Sequence, residues 1–169
     1  IDIRHRLIHL LKTIGRDEDV IQQYVDLAHA HYLLAALDRS REAYHSALKI
    51  SRQSIATREW SVKILNRLAD VELQSLNWKE AVRVFEQLRS LQPMESIPRT
   101  ALVDLYLKLG LSQPALNEVD AYIQLLESSG KSGEIEGFLD QLVIDNPQNT
   151  ELPRRLAKFY ARHDDKETA

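Results

Sequence analysis

Asn77-Trp78-Lys79-Glu80-Ala81-Val82-Arg83-Val84-Phe85, followed by Leu88 and Pro93, is the stretch whose reading decides the fold. Ala81, Phe85 and Leu88 recur at steps of four and three, which places them on one face of a helix. Asn77 with Glu80 three positions on reads as a capping box, so the helix begins at Trp78. Pro93 ends the segment, because proline lacks the backbone donor a continuing helix needs.

The same order of residue types returns further along. Ala115 lies 34 residues after Ala81, preceded by Leu102-Val103-Asp104-Leu105-Tyr106 and Gly110. Pro93 and Ala115 are 22 residues apart, and so are Pro147 and Ala169. Between the second pair stand Leu156-Ala157-Lys158-Phe159-Tyr160, with Asp164 in the place of Gly110. Leu68 and Ala69 complete the unit around Ala81, and Leu34, Ala43 and Ala47 mark a degenerate unit upstream. Small residues let helix axes approach; Tyr106 and Phe85 fill the grooves between them.

This period and order resemble the tetratricopeptide repeat, a helix–turn–helix of roughly 34 residues with the pattern W-x₂-L-G-x₂-Y, A-x₃-F, P. The resemblance runs over about residues 20–169. It implies an all-α fold, an α-α superhelix (a tetratricopeptide-like solenoid) of about nine antiparallel helices with no sheet. One such array is expected over 1–169: an N-terminal helix over 1–18, a degenerate repeat over 19–57, a repeat over 58–94, a repeat over 95–147, and a truncated repeat over 148–169. Two departures stand out. Ala43 and Ala81 are 38 residues apart, which requires a longer second helix or connection around Ser51–Glu59. The 95–147 segment carries about 20 extra residues, enough for an added helix and turn, with Gly130 and Ile135 as its turn and packing positions.

Helix limits follow from periodicity and end signals. The nine segments are about Ile3–Ile14, Asp19–Ala36, Arg39–Ser54, Arg58–Leu76, Trp78–Leu91, Ser96–Gly110, Ser112–Gly130, Ser132–Asp145, and a ninth after Asn149 or Thr150. Asp19, Ser112 and Ser132 are the expected caps. His163–Ala169 reads as a turn and the start of a cut-off helix, and Asp164-Asp165-Lys166 as a solvated turn.

The composition narrows the function. Charge is balanced at −3, with a pI near 6.1, which does not suit a nucleic-acid-binding stripe. No cysteine is present, so disulfides and thiolate metal sites are excluded. No apolar run approaches the ~20 residues of a membrane span. Ile1 stands where an initiating Met would, so the sequence reads as a piece of a longer chain whose targeting signal could have been removed. A cytoplasmic location is the expectation.

No catalytic residue, cofactor or metal is expected. His5 and His9 share a face, four apart, without a third ligand; His29 and His31 face different directions. Gly130-Lys131-Ser132 resembles the end of a phosphate loop, but Leu125 stands where that loop needs glycine and a helix precedes it. Nucleophile elbows and His-Glu-x-x-His are absent. Trp78, Phe85, Tyr106 and Phe159 read as packing residues.

What remains is a binding surface. The resemblance implies a concave face lined by the first helix of each pair, which takes extended peptides. Its groove positions project onto Lys63, Asn66, Arg67, Asp70 and Gln74; onto Thr100, Asp104 and Lys108; and onto Arg154, Lys158 and Arg162, a basic stripe four residues apart. The family's best-known groove grips a C-terminal carboxylate with Lys and Asn. Asn66 stands where that Lys would be and Asp70 where the Asn would be, so a carboxylate would be repelled and no such clamp is expected. The expected function is a protein–protein interaction scaffold that holds a peptide or partner protein in its groove, with no nucleic-acid or membrane partner. The alternative is a sensor, regulatory or dimerisation arm of a multidomain protein such as a transcriptional regulator. Self-association through the cut repeat ends is expected if a neighbouring domain does not cover them.

Overall fold

The computed structural model describes residues 2–53 and 57–167, apart from the side chains of Asp2, Arg58 and 162–167. Among the described residues there are nine α-helices and no strand: α1 Asp2–Thr13, α2 Asp17–Leu33, α3 Leu37–Ser51, α4 Arg58–Gln74, α5 Trp78–Leu91, α6 Ser96–Lys108, α7 Ser112–Ser128, α8 Gly133–Asp145 and α9 Glu151–Glu167. They form two compact units, Ile1–Leu91 and Gln92–Ala169.

Five of the helix-to-helix turns are built the same way. At Gly15, Ala35, Leu76, Gly110 and Gly130 the backbone turns left-handed, with φ of 71°, 54°, 55°, 73° and 71°. Each donates to the carbonyl three residues back, and the next residue donates five back, as in Gly110 N to Leu107 O and Leu111 N to Tyr106 O. This double bond pattern satisfies the last carbonyls of the helix and reverses the chain in a few residues. Glycine takes the conformation without strain; Ala35 and Leu76 carry a Cβ into it at a cost.

In the first unit the helices bury regular faces. On α5 these are Ala81, Val82, Val84, Phe85 and Leu88. On α4 they include Ile64, Leu65, Leu68, Ala69 and Val71. A fully buried Leu such as Leu65 or Leu88 contributes about 2 kcal/mol through area removed from water. α2 and α3 make the closest pair, because Ala28, Ser40, Ala43 and Ala47 are small at the contact and Ser40 Oγ donates to Ala28 O at 2.8 Å. α3 then packs on α4, α4 on α5, and α2 on α4; α1 packs on α2. The extra length between Ala43 and Ala81 falls in the connection after Ser51, not in a longer α3. Thr57 Oγ1 donates to Ser51 O at 3.1 Å and the Ser51 and Ser61 hydroxyls meet at 2.9 Å, so both ends of the connection are tied. Ser54, the expected end of the third helix, lies outside the described residues.

In the second unit α6 pairs with α7 and α8 with α9, while α8 also touches α6. Val103, Ala115, Val119, Tyr122, Leu126, Ile135, Phe138, Leu139, Leu142 and Leu152 form its core. The Tyr122 and Phe138 rings meet edge to face at 4.7 Å, a geometry that suits the ring quadrupoles. Gly130 and Ile135 serve as turn and buried packing residue, as expected. α8 is the first helix of a pair, so α9 is the second helix of that pair rather than the first helix of a new repeat. The helix left without a pairing partner is α1.

Several helix ends differ from expectation. Asp19 is not a cap: α2 begins at Asp17 behind Arg16, and Asp17, Glu18 and Asp19 all lie in the first turn, where the positive end of the helix dipole stabilises acids. Ser112 is the first residue of α7 behind Leu111. Ser132 precedes α8, but its backbone is already helical (φ −56°, ψ −28°) and its hydroxyl makes no capping bond. Asn149 does cap α9, its Oδ1 accepting from the Glu151 and Leu152 amides at 2.9 and 3.1 Å. Asp164–Lys166 form no turn; α9 stays helical through Glu167, since that stretch has neither glycine nor proline to end it. All five prolines fall in first turns or connections, where the missing N–H costs nothing.

Candidate functional site

Lys63, Asn66, Arg67, Asp70 and Gln74 follow one another at steps of three, one, three and four along α4 and are all exposed, opposite the buried Ile64–Val71 face. Their polar groups are lightly held. Asn66 Nδ2 donates to Val62 O at 3.0 Å, Arg67 Nη1 lies 3.9 Å from Asp70 Oδ2, and Lys63 Nζ sits 5.1 Å above the Trp60 ring. Such contacts are weak enough for a partner to displace. In the second unit Thr100 and Asp104 are half-buried and Lys108 exposed. Thr100 Oγ1 donates to Ile97 O at 3.0 Å, and Lys108 Nζ meets Asp104 Oδ2 at 2.7 Å. Arg154 and Lys158 are exposed on α9, with Arg154 paired to Glu151 at 2.7 Å. The Arg162 side chain lies outside the described residues.

The histidines separate. His5 and His9 are exposed on α1, and His29 stacks on Tyr32 at 6.4 Å. His31 is buried at 6 % exposure. Its pKa is lowered, first by burial and then by the positive charge of Arg39 and the nearby His5. Among the described residues no group of three His, Cys, Asp or Glu could hold a metal. No described helix is long and apolar enough to cross a membrane.

Sequence reasoning missed a cleft in the first unit. It lies between α1 and α3 over α2 and encloses about 410 Å³ lined by His5, Tyr24, Leu27, His31, Arg39, Glu42, Ala43 and Ser46. A second hollow of about 370 Å³ adjoins it at Tyr24 and Ser46 and reaches Lys12, Asp17, Lys49, Ile50 and Gln53. The small residues of α3 and the polar residue His31 at a helix-contact position were the available signal.

No family model matches the sequence, and no curated protein does. Solved structures do match in shape. A tetratricopeptide repeat protein from Parabacteroides merdae ATCC 43184 aligns over 93 % of this chain and 64 % of its own, with 16 % identity and a TM-score of 0.54. The apo form of RapI aligns over 88 % and 58 %, at 16 % identity and TM-score 0.53. MamA from Desulfovibrio magneticus RS-1 aligns over 99 % and 94 %, at 13 % identity and TM-score 0.52. The fold is tetratricopeptide-repeat-like. The chain spans less than two thirds of the length of the first two structures. At these identities the likeness concerns the fold alone. Within a tetratricopeptide-repeat-like fold, α4 and α6 are first helices of their pairs and α9 is a second helix. The projected groove residues therefore fall into an α4 set, an α6 set and a separate α9 set.

Proposed function

We propose that the chain is a non-catalytic protein-interaction module that holds a polypeptide against the exposed face of α4, with Thr100, Asp104 and Lys108 on α6 offering a second polar face. The observation that carries this reading is the Lys63–Gln74 stripe: five exposed polar residues on one side of a helix whose other side is fully packed. Mixed charge along such a stripe reads a peptide by hydrogen bonds and charge pattern, with its rigidity supplied from behind. Asp70 among these residues disfavours a terminal carboxylate, so an internal peptide segment is the fitting ligand. A photo-crosslinking residue at Lys63 or Gln74 in the parent protein should capture one polypeptide that a control at Lys79 on α5 does not. A synthetic segment of that polypeptide should then bind, and lose affinity on Arg67→Ala. Equal capture at all three positions overturns the proposal.

A second reading rests on a specific observation. Ile3, Leu7 and Leu10 are exposed along one side of α1, the helix without a pairing partner. Such a stripe fits self-association, as in a dimerisation arm. Sedimentation equilibrium should show a dimer that Leu7→Lys with Leu10→Lys abolishes; a monomer at every concentration removes this reading.

A further inference from the structure

Two of the five left-handed turns differ from the rest in the same two ways. Around Ala35 the chain reads Tyr32-Leu33-Leu34-Ala35-Ala36-Leu37, and around Leu76 it reads Leu73-Gln74-Ser75-Leu76-Asn77-Trp78, with no charged residue in either stretch. The matching stretches around Gly15, Gly110 and Gly130 each carry charge: Lys12, Arg16 and Asp17; Lys108; Glu127 and Lys131. The two uncharged turns are also the two whose left-handed residue is not glycine. They present Leu33, Leu34 and Leu76 to solvent at 70 %, 71 % and 67 % exposure.

These turns lie side by side. Arg41, one turn into α3, donates to Glu72 Oε1 at 2.6 Å and to Ser75 Oγ at 3.3 Å at the end of α4, and α2 packs on α4. The three leucines therefore stand at one end of the first unit. The other end, where α1 hands over to α2, carries exposed Arg16, Asp17 and Glu18. Leu76 combines a strained backbone with an exposed apolar side chain, where glycine would have neither. Strain kept at a residue that adds nothing to packing points to a use outside the fold.

We propose that this end of the first unit docks on the surface of a phospholipid bilayer, with Leu33, Leu34 and Leu76 entering the boundary between headgroups and acyl chains. The sequence led to no expectation of a membrane partner, but the lack of a spanning helix does not bear on side chains that enter only the interface. The turns tolerate that environment because their backbones are closed internally. Ala35 and Ala36 N donate to Tyr32 and His31 O, both at 2.9 Å, and Leu76 and Asn77 N to Leu73 and Glu72 O at 3.1 and 2.9 Å. α3 starts here with no side-chain cap, and headgroup phosphate and ester oxygens can accept from its first amides. Tyr32 and Trp78, both half-buried, stand at the level where aromatic rings favour the interface. The flanking charges balance: Asp38 and Glu80, paired with Arg41 and Arg83, against Arg39 and Lys79. The apolar side chains thus supply the attraction, and a zwitterionic bilayer suffices. A stable protein interface needs about 800 Å² and about 20–30 residues from each partner, far more than these two turns offer.

The test is flotation of the 169-residue chain with phosphatidylcholine vesicles, with and without phosphatidylserine. The chain should float with both, to a similar extent and independently of salt. Leu33→Gln with Leu34→Gln should lower the partition coefficient at least tenfold, and Leu76→Asn, which keeps a residue tolerant of the left-handed turn, at least threefold. Leu7→Lys with Leu10→Lys on α1 should change nothing, which separates this surface from the self-association reading. In a Trp60→Phe variant, Trp78 is the single tryptophan, and phosphatidylcholine brominated on its acyl chains should quench it. That readout needs no leucine variant, so it decides even where one of them fails to fold. No flotation with either vesicle, flotation only with phosphatidylserine and lost in high salt, flotation unaffected by the leucine variants, or an unquenched Trp78 each overturns the proposal. The α4 reading is tested separately by crosslinking and survives such a failure.

Discussion

Arg99 Nη1 on α6 donates to Glu118 Oε1 on α7 at 2.7 Å, with both side chains almost sealed from solvent. The same guanidinium donates to Pro93 O at 3.2 Å and lies 5.1 Å from the centre of the Tyr122 ring, while Tyr122 OH donates to Met94 O at 2.8 Å. One buried cation thus ties the entry segment of the second unit to its first helix pair. Removing one partner strands the other charge, so Glu118→Ala should cost about 3 kcal/mol in urea unfolding. The paired replacement Arg99→Met with Glu118→Leu should recover most of that loss. A double variant as unstable as the single would show that the pair itself, not the stranded charge, sets the cost.

Arg41 on α3 makes the corresponding tie in the first unit, to Glu72 at 2.6 and 3.1 Å, with Glu72 1 % exposed. Burial and the Glu72 carboxylate act oppositely on Arg41, and the hydrogen bond to Glu72 dominates in raising its pKa. Arg41→Met should lower the midpoint of urea unfolding by an amount equivalent to about 3 kcal/mol, for the reason given for Glu118.

Leu76 and Ala35 hold left-handed turns that glycine holds elsewhere in the chain. A side chain there costs roughly 1–2 kcal/mol of backbone strain, of which glycine's greater unfolded-state freedom returns about half. Leu76→Gly should therefore stabilise the protein by about 0.5–1 kcal/mol, and Gly110→Ala should destabilise it by about 1 kcal/mol. Thermal unfolding of the two variants checks the opposite signs.

His31 binds a proton less readily folded than unfolded. In the pH range between its folded pKa and the ordinary value of 6.5 the unfolded chain holds more protons, so stability is intact above 6.5 and declines as pH falls below it. His31→Leu, which leaves nothing at that place to titrate, should remove that part of the decline. Melting temperatures of the two proteins should differ more at pH 5 than at pH 7.5, with the variant higher at pH 5. Parallel curves would assign the acid sensitivity elsewhere.

Lys63→Ala, Arg67→Ala and Gln74→Ala should each leave stability within about 0.5 kcal/mol of the parent, as exposed positions with light contacts do. Loss of peptide binding without loss of stability separates recognition from folding at this face.

The helices were legible because their information is local. Trp78–Leu91 carries its period, its start and its stop within fourteen residues, and the structure places α5 over the same limits. Gly15, Gly110 and Gly130 announced their turns; Ala35 and Leu76 did not, because nothing in an alanine or a leucine signals that tertiary packing will hold it left-handed. The order of pairing was harder. The sequence offered one surplus helix and no means to say which, since any neighbouring helices of opposite direction can pair. In the structure α2 packs far more closely on α3 than on α1, and α8 more closely on α9 than on α7. The cleft was invisible for a related reason: Ala43 reads the same whether a neighbour fills the space beside it or leaves it open.

Because α1 packs on α2 without a pairing partner of its own, and Ile8 is its buried anchor, the first unit is mechanically graded. Traction applied at the N-terminus would peel α1 away at low force while the tightly apposed α2 and α3 and the Arg41–Glu72 tie stayed closed. Peeling α1 would also remove the wall that His5 gives the cleft.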